Sequence, residues 1–330
     1  MSVSVIIVNW NGIQWLDRCL DALRRQGVPS CELIVVDNAS SDGSANHVRS
    51  SHPDVRLIDL DRNRGFAGGN NAGAASARSD YLVFLNNDTR VRPGWLQALI
   101  DVADRDPSVG LVTSQIVYMD APDVVDSAGD GYLRAGGGFK HFHGLPSASA
   151  SSSREVFGAC GGAFLIRRSL FETLGGFDED FFMVYEDVDL SYRARLLGAR
   201  VIYAHDAVVE HAGSGSLGRV SDRAVFYGQR NLEWTWLKNS PRALLWRSAL
   251  PHLLYDAASG VAYARRGQLW PWLRAKWAAL AGIRSVMGKR ATIGRLAVAD
   301  HESLWSMMDA NWIDIKREEK RFDFQYDSHL

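Results

Sequence analysis

Polar and acidic side chains follow three apolar runs of this sequence, each at the point where the run ends. Asp37 and Asn38 follow LIVV, Asn86-Asn87-Asp88 follow LVFL, and Glu186 and Asp187 follow FFMVY. Singly, such residues are typical of turns and helix caps. At the C-terminal edge of a parallel sheet, where open α/β folds bind ligands, carboxylates hold ribose hydroxyls, a base edge or a hard cation such as Mg²⁺. The three clusters together favour a binding site.

Alternating strand and helix patterns predict the sheet that positions these clusters. The β-branched run VSVIIVNW is too apolar to have one face in water and indicates a central strand. The strand patterns CELIVVDNAS, VRLIDLD and DYLVFLNND follow, with a helical pattern after each of the four. This alternation predicts parallel strands joined by right-handed crossovers. From about Gly110 to Ser153 the pattern loosens, and AGGGFKHFHGLPSASASSS is typical of a lid or a connecting loop.

The totals indicate an ordinary globular chain. Its 330 residues are enough for one large domain with an appendage or for two domains, and the net charge of −1 provides no basic field for nucleic acid. Three cysteines without paired spacing favour a reduced cytosolic setting over disulfides or zinc. The opening MSVSVIIVNWN carries no basic leader and no run of 18 apolar residues occurs. We therefore expect neither a signal peptide nor a spanning helix.

Six segments together resemble a family 2 glycosyltransferase of the GT-A fold. They are VSVIIVNWNG, LIVVDNASSDGS, NRGFAGGNNAG, YLVFLNNDTRV, GGFDEDFFMVYEDVDLSYR and VVEHAGSGS. The similarity covers about residues 1–235 and is to the branch that contains bacterial rhamnosyltransferases of surface-polysaccharide assembly. It implies an α/β catalytic domain at 1–234, with a mostly parallel sheet flanked by helices. Residues 1–110 would bind the nucleotide sugar, residues 111–234 the acceptor, and 235–330 would form a helical C-terminal region.

The resemblance assigns the first two clusters to the sugar donor. Asp37 matches the position that holds the nucleotide, and the backbone from Val8 to Trp10 forms the other wall of that pocket. Arg230 would pair with a phosphate through its fork of donors, with a surface salt bridge as the alternative. The glycines of GFAGGNNAG are not in the dinucleotide-binding order, and they suit either close backbone approach to the donor or packing. The predicted donor contacts are Val8, Asn9, Trp10, Asp37, Asn38, Gly65, Asn70, Asn87 and Arg230.

A divalent cation is the cofactor that the resemblance implies. Asp88 matches the last residue of the family's Asp-x-Asp motif, which binds a cation bridging the donor diphosphate. Asn86 replaces the first carboxylate of that motif, so we expect weaker affinity or looser choice of metal, with Mg²⁺ or Mn²⁺ as the ion. His211 is expected to ligate the metal or contact the diphosphate, although a lone histidine is often structural.

Asp187 is the predicted catalytic base, with Glu186 as its neighbour in the family's Glu-Asp motif. Transfer with inversion needs one carboxylate to take the proton from the acceptor hydroxyl, whereas glycosidases use two carboxylates that flank the bond. For Glu186 and Asp189, a charge at a helix N-terminus is an equally good explanation. We expect Asp37, Asp88 and Asp187 to open onto one shared cleft.

The C-terminal region is rich in tryptophan and basic residues. Eight of the 11 tryptophans lie from Trp234 onward, and residues 238–290 contain ten Lys/Arg and one acid, Asp256. Apolar helical faces with interfacial aromatics and positive charge suit a helix lying on an anionic membrane surface. A helical appendage packed on its own catalytic domain, or a dimer contact, would produce the same pattern.

The leading prediction is an inverting, metal-dependent glycosyltransferase of bacterial cell-surface glycan assembly. It would move a sugar, best taken as L-rhamnose from dTDP-rhamnose, to a lipid-linked or polysaccharide acceptor. The alternatives are a non-catalytic nucleotide-sugar-binding scaffold and a sugar-1-phosphate nucleotidyltransferase, although NWNGIQWL lacks the basic triphosphate loop that the latter needs. The expected location is cytoplasmic, or peripheral on the inner face of the cell membrane. Oligomeric state, acceptor and linkage are left open.

Overall fold

The computed structural model describes residues 1–213 and 221–327, with side chains described as far as residue 322. The strands are β1 Val3–Asn9, β2 Cys31–Asp37, β3 Arg56–Asp59, β4 Tyr81–Asn86, β5 Thr89–Val91, β6 Val109–Tyr118, β7 Val125–Ser127, β8 Asp130–Tyr132, β9 Gly138–Lys140, β10 Arg154–Glu155, β11 Ala163–Arg167 and β12 Arg200–His211. The helices are α1 Ile13–Arg24, α2 Ser44–Ser51, α3 Gly65–Ser76, α4 Trp95–Arg105, α5 Arg168–Thr173, α6 Glu186–Leu196, α7 Asp222–Asn239, α8 Arg242–Arg265, α9 Leu269–Ala281, α10 Ile283–Leu296, α11 His301–Ser306 and α12 Trp312–Asp327. The end of the VVEHAGSGS segment, residues 214–216, lies outside the described residues.

A mostly parallel sheet organises the molecule, as predicted. Its order is β10-β12-β6-β11-β4-β1-β2-β3, with β5 paired to β12 and β7 paired to β6. Strands β1 to β4 run parallel, β12 runs parallel to β6, and β11 lies antiparallel between β4 and β6. Strands β8 and β9 form a separate hairpin. The parallel half therefore brings the C-terminal ends of β1, β2 and β4 to one edge.

Helices cover both faces of the sheet. On one face, Leu16 of α1 and Trp95 of α4 pack with Ile7 and Val83 of the strands. On the other face, Ala74 of α3 and the α6 residues Leu190 and Ala194 join a second core with Phe84. Because both faces are buried, the central strands are continuously apolar, as the sequence pattern required.

The C-terminal helices pack against the catalytic body. Helix α7 runs across residue 234, and the Trp234 indole donates to the carbonyl of Ala279 in α9 at 3.1 Å. Lys238 of α7 pairs with Asp178 at 2.5 Å and with Asp189 of α6 at 2.7 Å. The domain division at residue 234 stays a prediction. In the described part of the chain, no helix has the length and apolarity needed to cross a membrane.

Candidate active site

A cavity of about 240 Å³, the strand-end cavity, lies at the carboxyl ends of β1, β2 and β4. Gly65 begins α3 beside it with a φ of +71°, and a side chain there would collide with the Phe182 carbonyl. Only glycine adopts this left-handed conformation and permits this approach at low cost. Seven predicted residues line the cavity: Val8, Trp10, Asn38, Gly65, Asn87, Asp88 and His211.

Asn9 and Asp37 are the last residues of β1 and β2. Among the described residues, neither is part of the lining of the strand-end cavity. The Asn87 amide donates to Asn9 Oδ1 at 2.7 Å, and the Asn9 amide donates to Asp37 Oδ1 at 3.3 Å. Asp37 also accepts the backbone N–H of Ser40 at 2.8 Å, and its side chain is buried. The three side chains thus form one buried chain of hydrogen bonds that fixes the ends of β1, β2 and β4 relative to one another.

The side chains of Asn70 and Arg230 point elsewhere. Asn70 is buried and donates to the Phe66 carbonyl within α3 at 3.0 Å. The Arg230 guanidinium donates to the carbonyls of Asp180 and Phe181 at 2.6 and 3.1 Å. Neither residue lines the strand-end cavity among the described residues, so any contact of theirs with a ligand would require movement.

Asp88 and His211 meet at the base of the strand-end cavity. His211 Nε2 lies 3.2 Å from Asp88 Oδ1, and His211 Nδ1 lies 3.4 Å from Asp126 Oδ2. Burial lowers the pKa of His211, but the two carboxylates outweigh burial and raise that pKa to about 9. Burial raises the pKa of Asp88, but His211 outweighs it and brings the pKa below its usual value. A metal-ligating histidine commonly has its second ring nitrogen held by a carboxylate. Asp126 is in that position on the Nδ1 side of His211, and the Nε2 side faces Asp88.

A second cavity of about 430 Å³, the hairpin cavity, lies between the β8–β9 hairpin and the start of α6. It adjoins the strand-end cavity, because Asp126 in its wall contacts His211, and the consecutive residues Met183 and Val184 line one cavity each. The expected single cleft is therefore two adjoining cavities, with Asp88 in one and Asp187 in the other. The polar lining of the hairpin cavity includes Asp126, Asp130, Lys140, Tyr185, Glu186 and Asp187.

Asp187 is partly exposed to the hairpin cavity, whereas Glu186 is buried. Asp187 Oδ2 accepts the backbone N–H of Gly161 at 2.7 Å. A Cβ atom at Gly161 would lie 2.8 Å from this oxygen, so the GACGGAF loop needs glycine here. Burial raises the pKa of Asp187, and burial together with the charge of Asp187 raises the pKa of Glu186 well above its usual value. Asp187 is thus a carboxyl group with a raised pKa beside a cavity, which is a suitable proton acceptor.

A strained segment, Phe182 to Tyr185, separates the two cavities. Its φ angles are +63° at Phe182, +65° at Val184 and +76° at Tyr185, which cost energy for residues other than glycine. The buried Asn231 amide holds the segment, because it donates to the carbonyls of Phe181, Met183 and Val184 at 3.0, 2.9 and 2.7 Å. Such strain persists only where surrounding contacts over-determine the backbone.

Sequence reasoning missed five charged residues of the hairpin cavity: Asp126, Asp130, Lys140, Lys316 and Glu319. Lys140 Nζ donates to Asp126 Oδ1 at 2.7 Å, and through Asp126 this pair extends to His211. The only sequence signal was two acids four residues apart in VVDSAGDG, directly after a short apolar run. That signal lay in the stretch where no strand periodicity stood out.

Comparison with known proteins gives concordant matches. Glycosyl transferase family 2 matches residues 4–175. An N-acetylglucosaminyl-diphospho-decaprenol L-rhamnosyltransferase of Mycobacterium tuberculosis is 30% identical over 237 residues, covering 65% of this chain and 77% of that protein. Among solved structures, the mannosyltransferase PcManGT of Pyrobaculum calidifontis with GDP-Man and Mn²⁺ has a TM-score of 0.55 at 21% identity, covering 96% and 86% of the two chains. S. aureus TarS 1–349 with UDP-GlcNAc has a TM-score of 0.58 at 17% identity, covering 90% and 87%.

Proposed function

Because this chain belongs to glycosyl transferase family 2, we propose that it transfers a sugar from a nucleotide-sugar donor with inversion at the anomeric carbon. That the chain is a glycosyltransferase follows from the family match and the glycosyltransferase relatives. The observation that supports the finer proposal is the placement of Asp187 in a cavity that adjoins the one formed at the strand ends.

The strand-end cavity would take the nucleotide and diphosphate of the donor. Trp10 and Phe66 offer aromatic surface, and Asn38 and Asn87 offer amides. Asp37 and Asn9 act one layer below, where they fix the strand ends. Arg230 and Asn70 remain proposed donor contacts, although both are engaged with backbone carbonyls in this structure.

The residues at the base of the strand-end cavity suit a divalent cation. The Asp88 carboxylate is an oxygen ligand, and the His211 imidazole faces it with the Nδ1 side held by Asp126. Asn86 also lines the cavity but brings an amide where a second carboxylate would bind more strongly. Asp88 and His211 would hold Mg²⁺ or Mn²⁺, which when bound neutralises charge on the leaving diphosphate.

The catalytic step follows from the carboxylate in the hairpin cavity. An acceptor hydroxyl in this cavity attacks the anomeric carbon of the donor as the bond from that carbon to the phosphate oxygen breaks. Asp187 takes the hydroxyl proton, and the nucleoside diphosphate leaves with the electron pair of the broken bond. The Gly161 N–H holds one oxygen of Asp187 in position. Burial and then the charge of Asp187 raise the pKa of the neighbouring Glu186, so Glu186 adds no negative charge beside the base.

The donor sugar is proposed from the similarity to the rhamnosyltransferase of M. tuberculosis. The relative from M. tuberculosis is named as an L-rhamnosyltransferase acting on N-acetylglucosaminyl-diphospho-decaprenol. We therefore take dTDP-L-rhamnose as the first donor to test, and a lipid-linked or polysaccharide glycan of the bacterial surface as the acceptor class.

The exposed face of the C-terminal helices would bind an anionic membrane surface. Trp246 in α8 and Trp270 and Trp277 in α9 are 74%, 68% and 72% exposed, although tryptophan is among the residues with most to gain from burial. Exposed basic residues stand among them, including Arg247 and Arg274. Aromatic and cationic groups together match the headgroup region of an anionic bilayer, which would place the enzyme at the inner face of the cell membrane.

A donor panel tests the proposal directly. With Mn²⁺ or Mg²⁺ present, the purified protein should slowly hydrolyse one of a set of dTDP-, UDP- and GDP-sugars even without acceptor. Asp187→Asn should lose transfer by roughly three orders of magnitude or more while keeping nucleotide affinity. Normal transfer by this variant would show that another group is the base.

A further inference from the structure

Helix α12 forms one wall of the hairpin cavity, although it lies far along the chain from the family-matched residues. Lys316 and Glu319 line the cavity. Lys316 Nζ donates to the Gly138 carbonyl at 2.6 Å and to Glu319 Oε2 at 2.7 Å. Glu319 Oε1 accepts the backbone N–H of Lys140 at 3.1 Å. The bonds to Gly138 and Lys140 tie α12 to the β8–β9 hairpin, and the Lys316–Glu319 bond holds the two side chains together, so the wall is a fixed part of the cavity.

Every lysine of the cavity is already paired with a carboxylate. Lys140 pairs with Asp126 and Lys316 pairs with Glu319, each at 2.7 Å. The remaining carboxyl groups of the lining, those of Asp130, Glu186 and Asp187, have no cationic partner within salt-bridge distance among the described residues. The two lysines of the cavity therefore offer no unpaired positive charge to an incoming anion. This holds whether the carboxyl groups of Asp130, Glu186 and Asp187 are protonated or ionised.

The hydrogen-bonding capacity of the cavity is, by contrast, incompletely used. Glu186 Oε2 is buried and has no hydrogen-bond partner in the part of the chain that the structure describes. Buried polar atoms without partners are rare in native proteins and call for a ligand or water. The rings of Phe139 and Tyr185 also line the cavity and present apolar surface. Carboxyl oxygens beside aromatic rings suit the hydroxyl groups and the apolar face of a sugar.

We infer that the hairpin cavity binds an uncharged sugar unit of the acceptor, and that Lys316 and Glu319 of α12 form the wall that selects it. The inference rests on the proposed function, because it places the acceptor beside Asp187. An acidic sugar would bury its carboxylate among unpaired carboxyl groups, which is unfavourable without a compensating cation. A diphosphate attached to the acceptor would have to remain outside this cavity for the same reason.

Matched glycosides test the charge selection on the wild-type, full-length protein. Ligand-observed NMR would measure binding of p-nitrophenyl β-glucoside, β-galactoside and β-N-acetylglucosaminide, with the β-glucuronide and β-galacturonide as anionic counterparts. We expect at least one neutral glycoside to bind and its uronide to bind at least about tenfold more weakly. Equal binding of a neutral glycoside and its uronide, or no binding of any neutral glycoside, would overturn the inference.

Two variants test the role of α12. Lys316→Met should raise the KM for the bound glycoside about tenfold or more, because the charged hydrogen bonds that hold the wall are lost. Glu319→Gln keeps the shape and should have a smaller effect in the same direction. Arg317→Met is the matched control, since Arg317 is 76% exposed on the same helix. Equal acceptor KM for Lys316→Met and Arg317→Met would remove α12 from acceptor selection.

Hydrolysis of the nucleotide sugar without acceptor separates this inference from the proposed function. The Arg317→Met control should keep this activity within about twofold, because Arg317 lines neither cavity within the described part of the chain. If the wild-type protein hydrolyses no donor, the proposed function fails. If donor hydrolysis persists while neutral and acidic glycosides bind alike, only the present inference fails.

Discussion

At the scale of single residues, the raised pKa of Asp187 predicts the pH dependence of transfer. A base acts only when ionised, so activity should be present above the pKa of Asp187 and lost as pH falls through it. Because burial raises that pKa, the acidic limb of kcat/KM should lie above the usual aspartate value of about 3.9. Steady-state rates from about pH 4 to pH 9 measure this limb.

Asp130 provides the control for this pH profile. Burial raises the pKa of Asp130 most, and the charge of the nearby Asp187 raises it further. The pKa of Asp130 is raised further than that of Asp187, so Asp130 is already neutral over the range in which Asp187 ionises. Asp130→Asn should therefore leave the acidic limb in place. A limb that moves in Asp130→Asn, or a wild-type limb near the ordinary aspartate value, would contradict the assignment of Asp187 as the base.

Asn231 offers a second prediction at this scale. Asn231→Ala removes the three hydrogen bonds that hold the strained Phe182–Tyr185 segment. Relaxation of the segment should lower kcat by about 10- to 100-fold, since small misplacements of catalytic geometry are costly. Asn239→Ala is the matched control, because Asn239 lies on the same helix and its amide donates to Asp189. The control should lose stability but keep kcat, and equal kcat in both variants would exclude a positioning role for Asn231.

Part of the candidate site was predictable from residue types alone. Asn87, Asp88 and His211 each follow an apolar run, and strand ends that share a sheet edge must lie together. The direction of a long side chain is not encoded so locally. Arg230, a proposed phosphate ligand, donates to the Phe181 carbonyl in this structure, and only the tertiary structure places that carbonyl beside it.

At the scale of elements, the first four strands and helices were predictable because local pattern and burial agree there. Strand β6 was not, although all ten of its residues are buried. Its polar residues Thr113, Ser114 and Gln115 interrupt the apolar pattern. Each of them forms a hydrogen bond with a residue far along the chain. The Trp95 indole, for example, donates to Ser114 Oγ at 2.9 Å. A strand that depends on such long-range bonds gives no clear periodic signal.

The ion pairs that join α7 to the catalytic body should dominate the stability of this connection. Lys238 is 1% exposed and pairs with both Asp178 and Asp189. Lys238→Met leaves the buried Asp189 and the partly buried Asp178 each short of a partner and should lower the free energy of unfolding by about 3–5 kcal/mol. Urea unfolding followed by tryptophan fluorescence measures the loss.

Lys289 in α10 supplies the comparison for this prediction. It pairs with Asp178 from the outside and its side chain is 35% exposed. Lys289→Met should therefore cost about 1 kcal/mol or less, because water screens the exposed pair. Equal losses for the two variants would mean that burial does not determine the strength of this network.

At the scale of the whole molecule, the family match covers most of the sheet but not all of the residues that line the two cavities. The match ends at residue 175, whereas the Glu-Asp pair and the α12 wall lie beyond it. The strand-end cavity, which we propose for the donor, is built mostly from the ends of the sheet strands, and the hairpin cavity, which we propose for the acceptor, is built mostly from the hairpin, α6 and α12. This division gives a physical reason for relatives of one fold to share nucleotide-sugar chemistry while differing in acceptor.

The exposed face of α8 and α9 makes the last prediction. In sedimentation with phosphatidylcholine vesicles, the wild-type protein should bind when phosphatidylglycerol is included and should bind less as salt is raised. A triple variant, Trp246→Gln, Trp270→Gln and Trp277→Gln, should lose binding more than about tenfold because the exposed aromatic surface is removed. Its hydrolysis of donor in solution should stay unchanged. Trp15→Gln in α1 is the control and should bind like wild type, whereas equal binding of the triple variant and the wild type would exclude this face as the membrane contact.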